Sequence, residues 1–370
     1  MNANPQQLAT DAPRGELETV ALFDGAMPTG VTVSRRGRIF VNFPKWGDDV
    51  RFTVAEVRDG DVVPFPDRVA NETSSEDPGA ALVSVQSVVV DPADKLWILD
   101  TGRPLFQLAE SDGPKLLCVD LETDRVAKKI LFPQDVALPT TYLNDVRFDL
   151  THGEEGFAYI TDSSDTGPNA IIVVDLASGE SWRCLHDHPT TVAEQLPDYM
   201  PVVEGRPMMQ RNPDGTTAPM TMGADGIAIA ADGRRLFYCK LTGRRLYSVS
   251  TAALRDRSLG EGEISRTVID HGDKGGAGDG METDAAGNIY ATNFEHNAVL
   301  RRRPDGSWET VVHDPRLLWP DTMSVATDGY LYLTANQLHR QPPYQNGEDL
   351  RQKPYALFRV RIDEGPIQLR

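Results

Sequence analysis

Apolar and polar positions alternate with a period of two along most of the chain, in short runs ended by Gly, Asp, Asn or Pro. That period predicts β-strands and disfavours a helical solenoid. A larger unit recurs: an entry residue, an alternating strand, a turn, then a strand bearing aromatics. It is read in TGVTVSRRGRIFVN from Thr29, VQSVVVDPADKLWILD from Val85, NDVRFDLTHGEEGFAYITD from Asn144, ADGIAIAADGRRLFYCK from Ala224, GDGMETDAAGNIYATN from Gly278 and PDTMSVATDGYLYLTA from Pro320. A second apolar pair follows most units, as in Lys115–Asp120 with Val126–Phe132, and Ala170–Asp175 with Trp182–Leu185. Four strands per repeat is the content of a propeller blade.

The last unit has three strands and ends with YALFRVRI, Tyr355–Ile362, whereas LETVALF, Leu17–Phe23, has no blade of its own. Pairing the two would close the ring and remove an open edge. The expectation is an all-β, six-bladed β-propeller over 16–370, closed by its N-terminal strand, after a disordered or extended tail at 1–15. Polar or Pro-rich inserts at 67–79, 192–220 and 341–354 are expected to loop over one face of the ring.

Composition narrows the function classes. A formal net charge of -18 over 370 residues argues against nucleic acid, which demands Lys/Arg clusters. No apolar run is long enough for a membrane span, and the polar start lacks a signal-like apolar segment, which as written favours the cytoplasm; a removed signal would make the protein periplasmic or secreted. The three cysteines, Cys118, Cys184 and Cys239, lack C-x-x-C spacing. Cys118 and Cys239 lie in apolar strand patterns and read as small buried hydrophobes. No G-x-S-x-G elbow or P-loop is present.

In a propeller the innermost strands all begin at one end of the central channel, so their entry residues converge. The slots read Thr29, Gln86, Asn144, Asp225, Asp279 and Asp321. Carboxylates and amides gathered on one axis must hold a cation, share protons or stay wet. Such oxygen donors suit Ca²⁺ or Mg²⁺ better than zinc, although Asp and Asn beside Gly also serve as plain turn formers. The loops after each second strand open on the same face and offer Asp100, Asp162, Lys240, Asn293, Glu295, His296, Asn336 and His339. Lys240 is expected to meet the aspartates and orient an anionic group or steady an oxyanion. His296 and His339 are candidate acids or bases, with loop histidines as the plain alternative.

The segments KLWILDTG, YLNDVRFD, GADGIAIAADGRRLFY, GDGMETDAAGNIYATNFEHNAV and LLWPDTMSVATDGYLYLTANQLH together resemble the yellow / major royal jelly protein family in a compact bacterial form. The resemblance implies a six-bladed propeller. A more distant similarity is to gluconolactonase and regucalcin propellers, which bind a divalent ion on the channel axis. Carried over, it implies Asp225 and Asp279 as metal ligands and Asn144 as a substrate contact, while Thr29 stands where a ligating Glu is expected. The leading expectation is therefore a sugar-lactone hydrolase acting on a small polar metabolite, assisted by Ca²⁺ or another divalent cation. Asp279 or Asp321 would be its base, Asn144 and Lys240 would orient substrate, and Gln86, Asp162, Asn293, His296, Asn336 and His339 would line the site. The alternatives are a metal-independent tautomerase on a dopachrome-like metabolite and a non-catalytic small-ligand binder. No nucleic-acid or membrane partner is expected.

Overall fold

The computed structural model describes residues 11–72, 79, 81–109, 112–194, 198–212 and 214–370. Six four-stranded antiparallel sheets account for the repeats. Their first strands are Val31–Val33, Val85–Val90, Leu143–Asp149, Ala224–Ile229, Met281–Thr283 and Pro320–Val325. Each lies against the first strands of the two neighbouring sheets, so the six form a closed hub. The molecule is a six-bladed β-propeller.

In the sixth blade Leu17–Phe23 pairs with Tyr355–Arg361 as the outermost strand, running from Leu17 opposite Val360 to Phe23 opposite Tyr355. The N-terminal strand closes the ring as the alternation required. Of the tail at 1–15, residues 1–10 lie outside the described residues. Arg14 exchanges two backbone hydrogen bonds with His313, at 2.8 and 2.9 Å. Of the insert at 67–79, residues 73–78 lie outside them too, and Arg68–Asn71 forms one helical turn.

The core lies between blades. Leu99, Leu116 and Cys118 of the second blade pack on Leu143, Val146 and Ile160 of the third, and Tyr159, Ile171 and Val173 of the third on Ile227, Leu236 and Tyr238 of the fourth. Residues buried on both faces explain why these strands read as apolar runs. All three cysteines are buried and unbridged.

Four of the six first strands carry a register shift at their start, between Val85 and Ser87, Leu143 and Val146, Ala224 and Ile227, and Pro320 and Met323. A β-bulge re-aims a side chain out of the alternating pattern. The bulged residues include Gln86, Asn144, Asp225 and Asp321. The lower end of the channel is crossed by the C-terminal residues: the Leu150 N–H donates to the Leu369 carbonyl at 2.9 Å, and Ile367 and Gln368 border the space beneath Arg147 and Glu282.

Candidate functional site

At the upper end of the channel, bulges and glycines bring three carboxyls together. Gly226 and Gly280 follow Asp225 and Asp279 directly. A Cβ on Gly226 would stand 2.1 Å from the Asp279 carbonyl oxygen, and one on Gly280 2.4 Å from that of Asp321. Only glycine lets neighbouring first strands approach so closely. Asp225, Asp279 and Asp321 are each less than one-tenth exposed.

The Asn144 side-chain N–H donates to Asp225 Oδ1 at 2.9 Å, and the Ser163 hydroxyl donates to Asp225 Oδ2. The Trp319 indole N–H donates to Asp279 Oδ2 at 2.8 Å. Asp225 and Asp279 are also within hydrogen-bonding reach of each other. Asn336 donates to Asp321 Oδ2 at 2.6 Å, and Thr322 to Asp321 Oδ1 at 3.1 Å. Burial, reinforced by the neighbouring Asp279 charge, holds Asp225 and Asp321 well above the usual carboxyl range. Burial lifts Asp279 to about 6, against the opposing pull of its hydrogen bonds to Asp225 and Trp319. Two adjacent buried carboxyls cannot both ionise cheaply, so the arrangement favours one proton held between them.

Above the pair stands a largely apolar chamber. Trp46, Phe106 and Tyr142 stack, with Phe106 and Tyr142 centroids 4.8 Å apart at 20°. The Trp46 indole donates to the Tyr142 hydroxyl at 2.7 Å, which donates to Gln86 Oε1 at 3.0 Å. Met222, Leu241, Leu338 and Tyr344 complete the wall. The space open to a water-sized sphere is about 30 Å³, enough for a water or two and too little for an organic substrate. The chamber is therefore closed over by its own walls.

The insert at 192–220 roofs this chamber; within it, residues 195–197 and 213 lie outside the described residues. It contributes two small hairpins, Val202–Val203 with Arg206–Pro207 and Met209–Arg211 with Thr217–Pro219. Its Val203, Met208 and Met220 pack on Trp319, Leu338 and Tyr344. The insert at 341–354 starts with the helical turn Pro342–Tyr344 and supplies Tyr344.

The loop residues from the second ring sort differently. Lys240 does not meet the aspartates. Strand alternation sets it on the face of Tyr238 and Tyr247, with its Nζ 3.7 Å from Glu194 Oε1 and 5.5 Å from the Tyr247 ring centre. Asp162 staples its own loop, accepting from the Tyr142 and Ser164 N–H groups at 2.9 and 3.1 Å and pairing with Arg183 at 2.8 Å. Asp100 does the same one blade earlier, taking the Val83 and Ser84 N–H groups and Lys115. Asn293 donates to the Gly275 carbonyl at 3.0 Å, and His296 is exposed. Glu295 anchors the roof, accepting from Tyr199, the Val202 and Ala277 N–H groups and Arg244. His339 is buried, stacks on Trp319 at 5.9 Å and bonds Glu204 of the roof at 2.9 Å; burial lowers its pKa. Asn144, Asp225, Asp279, Asp321, Gln86 and Asn336 thus gather at the mouth, while Lys240, Asp162, Asn293 and His296 do not.

The donors at the mouth are already engaged. Both Asp225 oxygens accept hydrogen bonds, one Asp279 oxygen is taken by an indole, and Asn144 turns an N–H, not its oxygen, toward Asp225. Thr29 is engaged in the wall by Asn42, at 2.8 Å. Among the described residues no three His, Cys, Asp or Glu side chains converge as metal ligands. Ca²⁺ takes about six to eight oxygens, so these residues do not fit a calcium cage as arranged. They fit a shared proton.

Trp319, Ser163, Phe106 and Tyr142 were not expected in the site. Trp319 lies in the quoted Trp-Pro-Asp stretch, but nothing in the pattern says where its indole points. Its φ of +58° is rare for a bulky residue and costs energy. Phe294 stacks on its other face at 3.9 Å and 6°.

A model described as Major royal jelly protein matches residues 83–363. The chain belongs to that family. Yellow-related salivary protein LJM17 of Lutzomyia longipalpis is 24% identical over 91% of this chain and 83% of its own. Protein yellow of Drosophila erecta is 25% identical over 69% of this chain and 48% of its own, so the chain spans about half the length of that relative. Among solved structures, a putative gluconolactonase superposes with a TM-score of 0.57 at 13% identity, covering 95% of this chain and 94% of its own. The calcium-binding protein regucalcin of Agrobacterium tumefaciens gives 0.56 at 15%, covering 94% and 95%. A gluconolactonase of Xanthomonas campestris gives 0.55 at 12%, covering 95% and 94%. At these identities the structures share the fold with this member of the royal jelly protein family.

Proposed function

We propose that this protein is an acid–base enzyme acting on a small, flat carbonyl compound at the upper channel mouth, of the tautomerase or isomerase type. The observation that carries this reading is the buried Asp225–Asp279 pair, close enough to share one proton, beneath a stacked aromatic wall. Flat conjugated ligands stack on such a wall. The ionised member of the pair takes a proton from the carbon beside the carbonyl, while the protonated member gives one to the carbonyl oxygen. In the second half the newly protonated member delivers its proton to the carbon at the shifted position, while the enol O–H returns its proton to the other, now ionised, carboxyl. The pair ends with the one proton it started with, and atoms and charge balance without a metal. A dopachrome-like quinonoid fits the description.

Hydrolysis of a sugar lactone is the second reading, favoured by the water-sized space beside the carboxyls: one carboxyl would activate that water and the other would protonate the ring oxygen. A panel of quinonoid tautomerisation and lactone hydrolysis assays, run with and without a chelator, separates the two. The expected result is chelator-insensitive turnover of a flat carbonyl substrate, lowered at least about 100-fold by Asp279→Asn. Activity that follows calcium, or survives Asp279→Asn, would overturn the reading.

A further inference from the structure

A second pocket lies beside the roofed chamber, bordered by the two roof hairpins and the turn at Leu338–Arg340. Three guanidinium groups, from Arg206, Arg211 and Arg340, border it, although the chain carries a net charge of -18. Arg340 is paired with Glu204 through its Nε at 3.0 Å and its Nη2. Among the described residues, Arg206 and Arg211 have no carboxylate within ion-pair distance. Arg206 spends one N–H on Gln345 Oε1 at 2.7 Å, and Arg211 one on the Pro207 carbonyl at 2.9 Å. Each guanidinium carries five donors in a rigid fork, so most of theirs are unused. Of the residues bordering the pocket, Arg206, Arg211 and Arg340 are cationic and only Glu204 is acidic, which leaves a surplus of positive charge. The space open to a water-sized sphere is about 70 Å³, room for several waters. Tyr344 borders both this pocket and the chamber over the aspartates.

We propose that Arg206, Arg211 and Arg340 form a binding site for a carboxylate or phosphate group carried by a small molecule. Planar oxyanions accept paired N–H bonds from the guanidinium fork, and an anion seated here would offset the surplus charge. Because Tyr344 borders both spaces, the group is assigned as the anionic arm of the molecule whose carbonyl meets Asp225 and Asp279. That assignment rests on the acid–base reading, whereas the anion site itself does not.

The test uses inorganic phosphate and malonate as separate probes on the intact protein. Thermal melts and isothermal titration calorimetry are run at constant ionic strength, with sodium chloride as reference. A saturable rise in melting temperature with at least one probe is expected, since a ligand of the folded state stabilises it. The tighter of the two identifies a phosphorylated or a carboxylated ligand. The Arg206→Gln/Arg211→Gln double variant should bind at least about tenfold more weakly and melt as the parent does in chloride. Neither residue touches the aspartates, so this result does not depend on turnover. No stabilisation beyond chloride by either probe, or undiminished binding in the double variant, would refute the site. Anion binding with no turnover on any carbonyl substrate would leave the site standing and sink the acid–base reading instead.

Discussion

At the residue scale, the proposed chemistry rests on carboxyls whose burial favours the protonated form. Burial raises Asp279 to about 6, whereas an unfolded aspartate titrates near about 4. The folded state therefore binds the proton more tightly. Below pH of about 4 both states are protonated and the group contributes equally to each. As pH rises towards about 6, the unfolded chain gives up its proton first, and stability falls; above that the loss is complete. Asp279→Asn removes this slope. Urea unfolding of parent and variant should give equal stability near pH 4 and a variant more stable by roughly 2–3 kcal/mol at pH 7.5. A variant less stable than the parent at pH 7.5 would mean that the Asp279 carboxylate is held by a partner the site geometry does not reveal. The entry aspartates were legible in the sequence because they recur in one slot of a repeating unit. Ser163, Phe106, Tyr142 and the Trp319 indole were not, because loops deliver them and their direction depends on bulges and a left-handed backbone that leave no period behind.

At the element scale, the roof is held by two glutamates of different character. The Glu295 side chain is buried and accepts from four groups on three segments, while Glu204 is exposed on a turn whose two central residues, Glu204 and Gly205, both have positive φ. That turn type suits a tight hairpin. Among the described residues Glu204 pairs only with Arg340 and His339, and partly exposed ion pairs are weak, so the roof is expected to open first at Glu204 and to hinge at Glu295. Hydrogen exchange checks this. In Glu204→Gln the amides of 202–211 should exchange about five- to tenfold faster, while those of the blade strands keep their rates. Roof amides that exchange only at blade rates, in parent and variant alike, would show that the closed chamber does not open locally. The inserts read from the sequence as loops over one face, and the described residues of 192–220 and 341–354 do lie over the upper mouth; the hairpins were missed because two- and three-residue strands are too short to show alternation.

At the scale of the whole molecule, the ring was the most legible feature, since six repeats and an unpaired first strand leave little choice of architecture. Closure depends on that strand. Phe23 is buried, packs edge-on against Phe43 at 5.6 Å and lies opposite Tyr355. Phe23→Ala should cost about 3–5 kcal/mol in urea unfolding, and a cost below about 1 kcal/mol would mean that the seam does not bear on stability. The C-terminal residues cross the lower end, so under the proposed function the upper mouth is the face for a substrate. The closed ring is also what brings Asp225 and Asp279, on separate sheets and far apart in sequence, to one shared proton. Carbon-13 NMR of aspartate-labelled, metal-free protein tests that claim most directly. The account predicts one buried carboxyl titrating near pH 6 and a second still protonated above it, both unmoved by added calcium. Two carboxyls ionised throughout from pH 4 to 8, or resonances that shift on calcium titration, would contradict it.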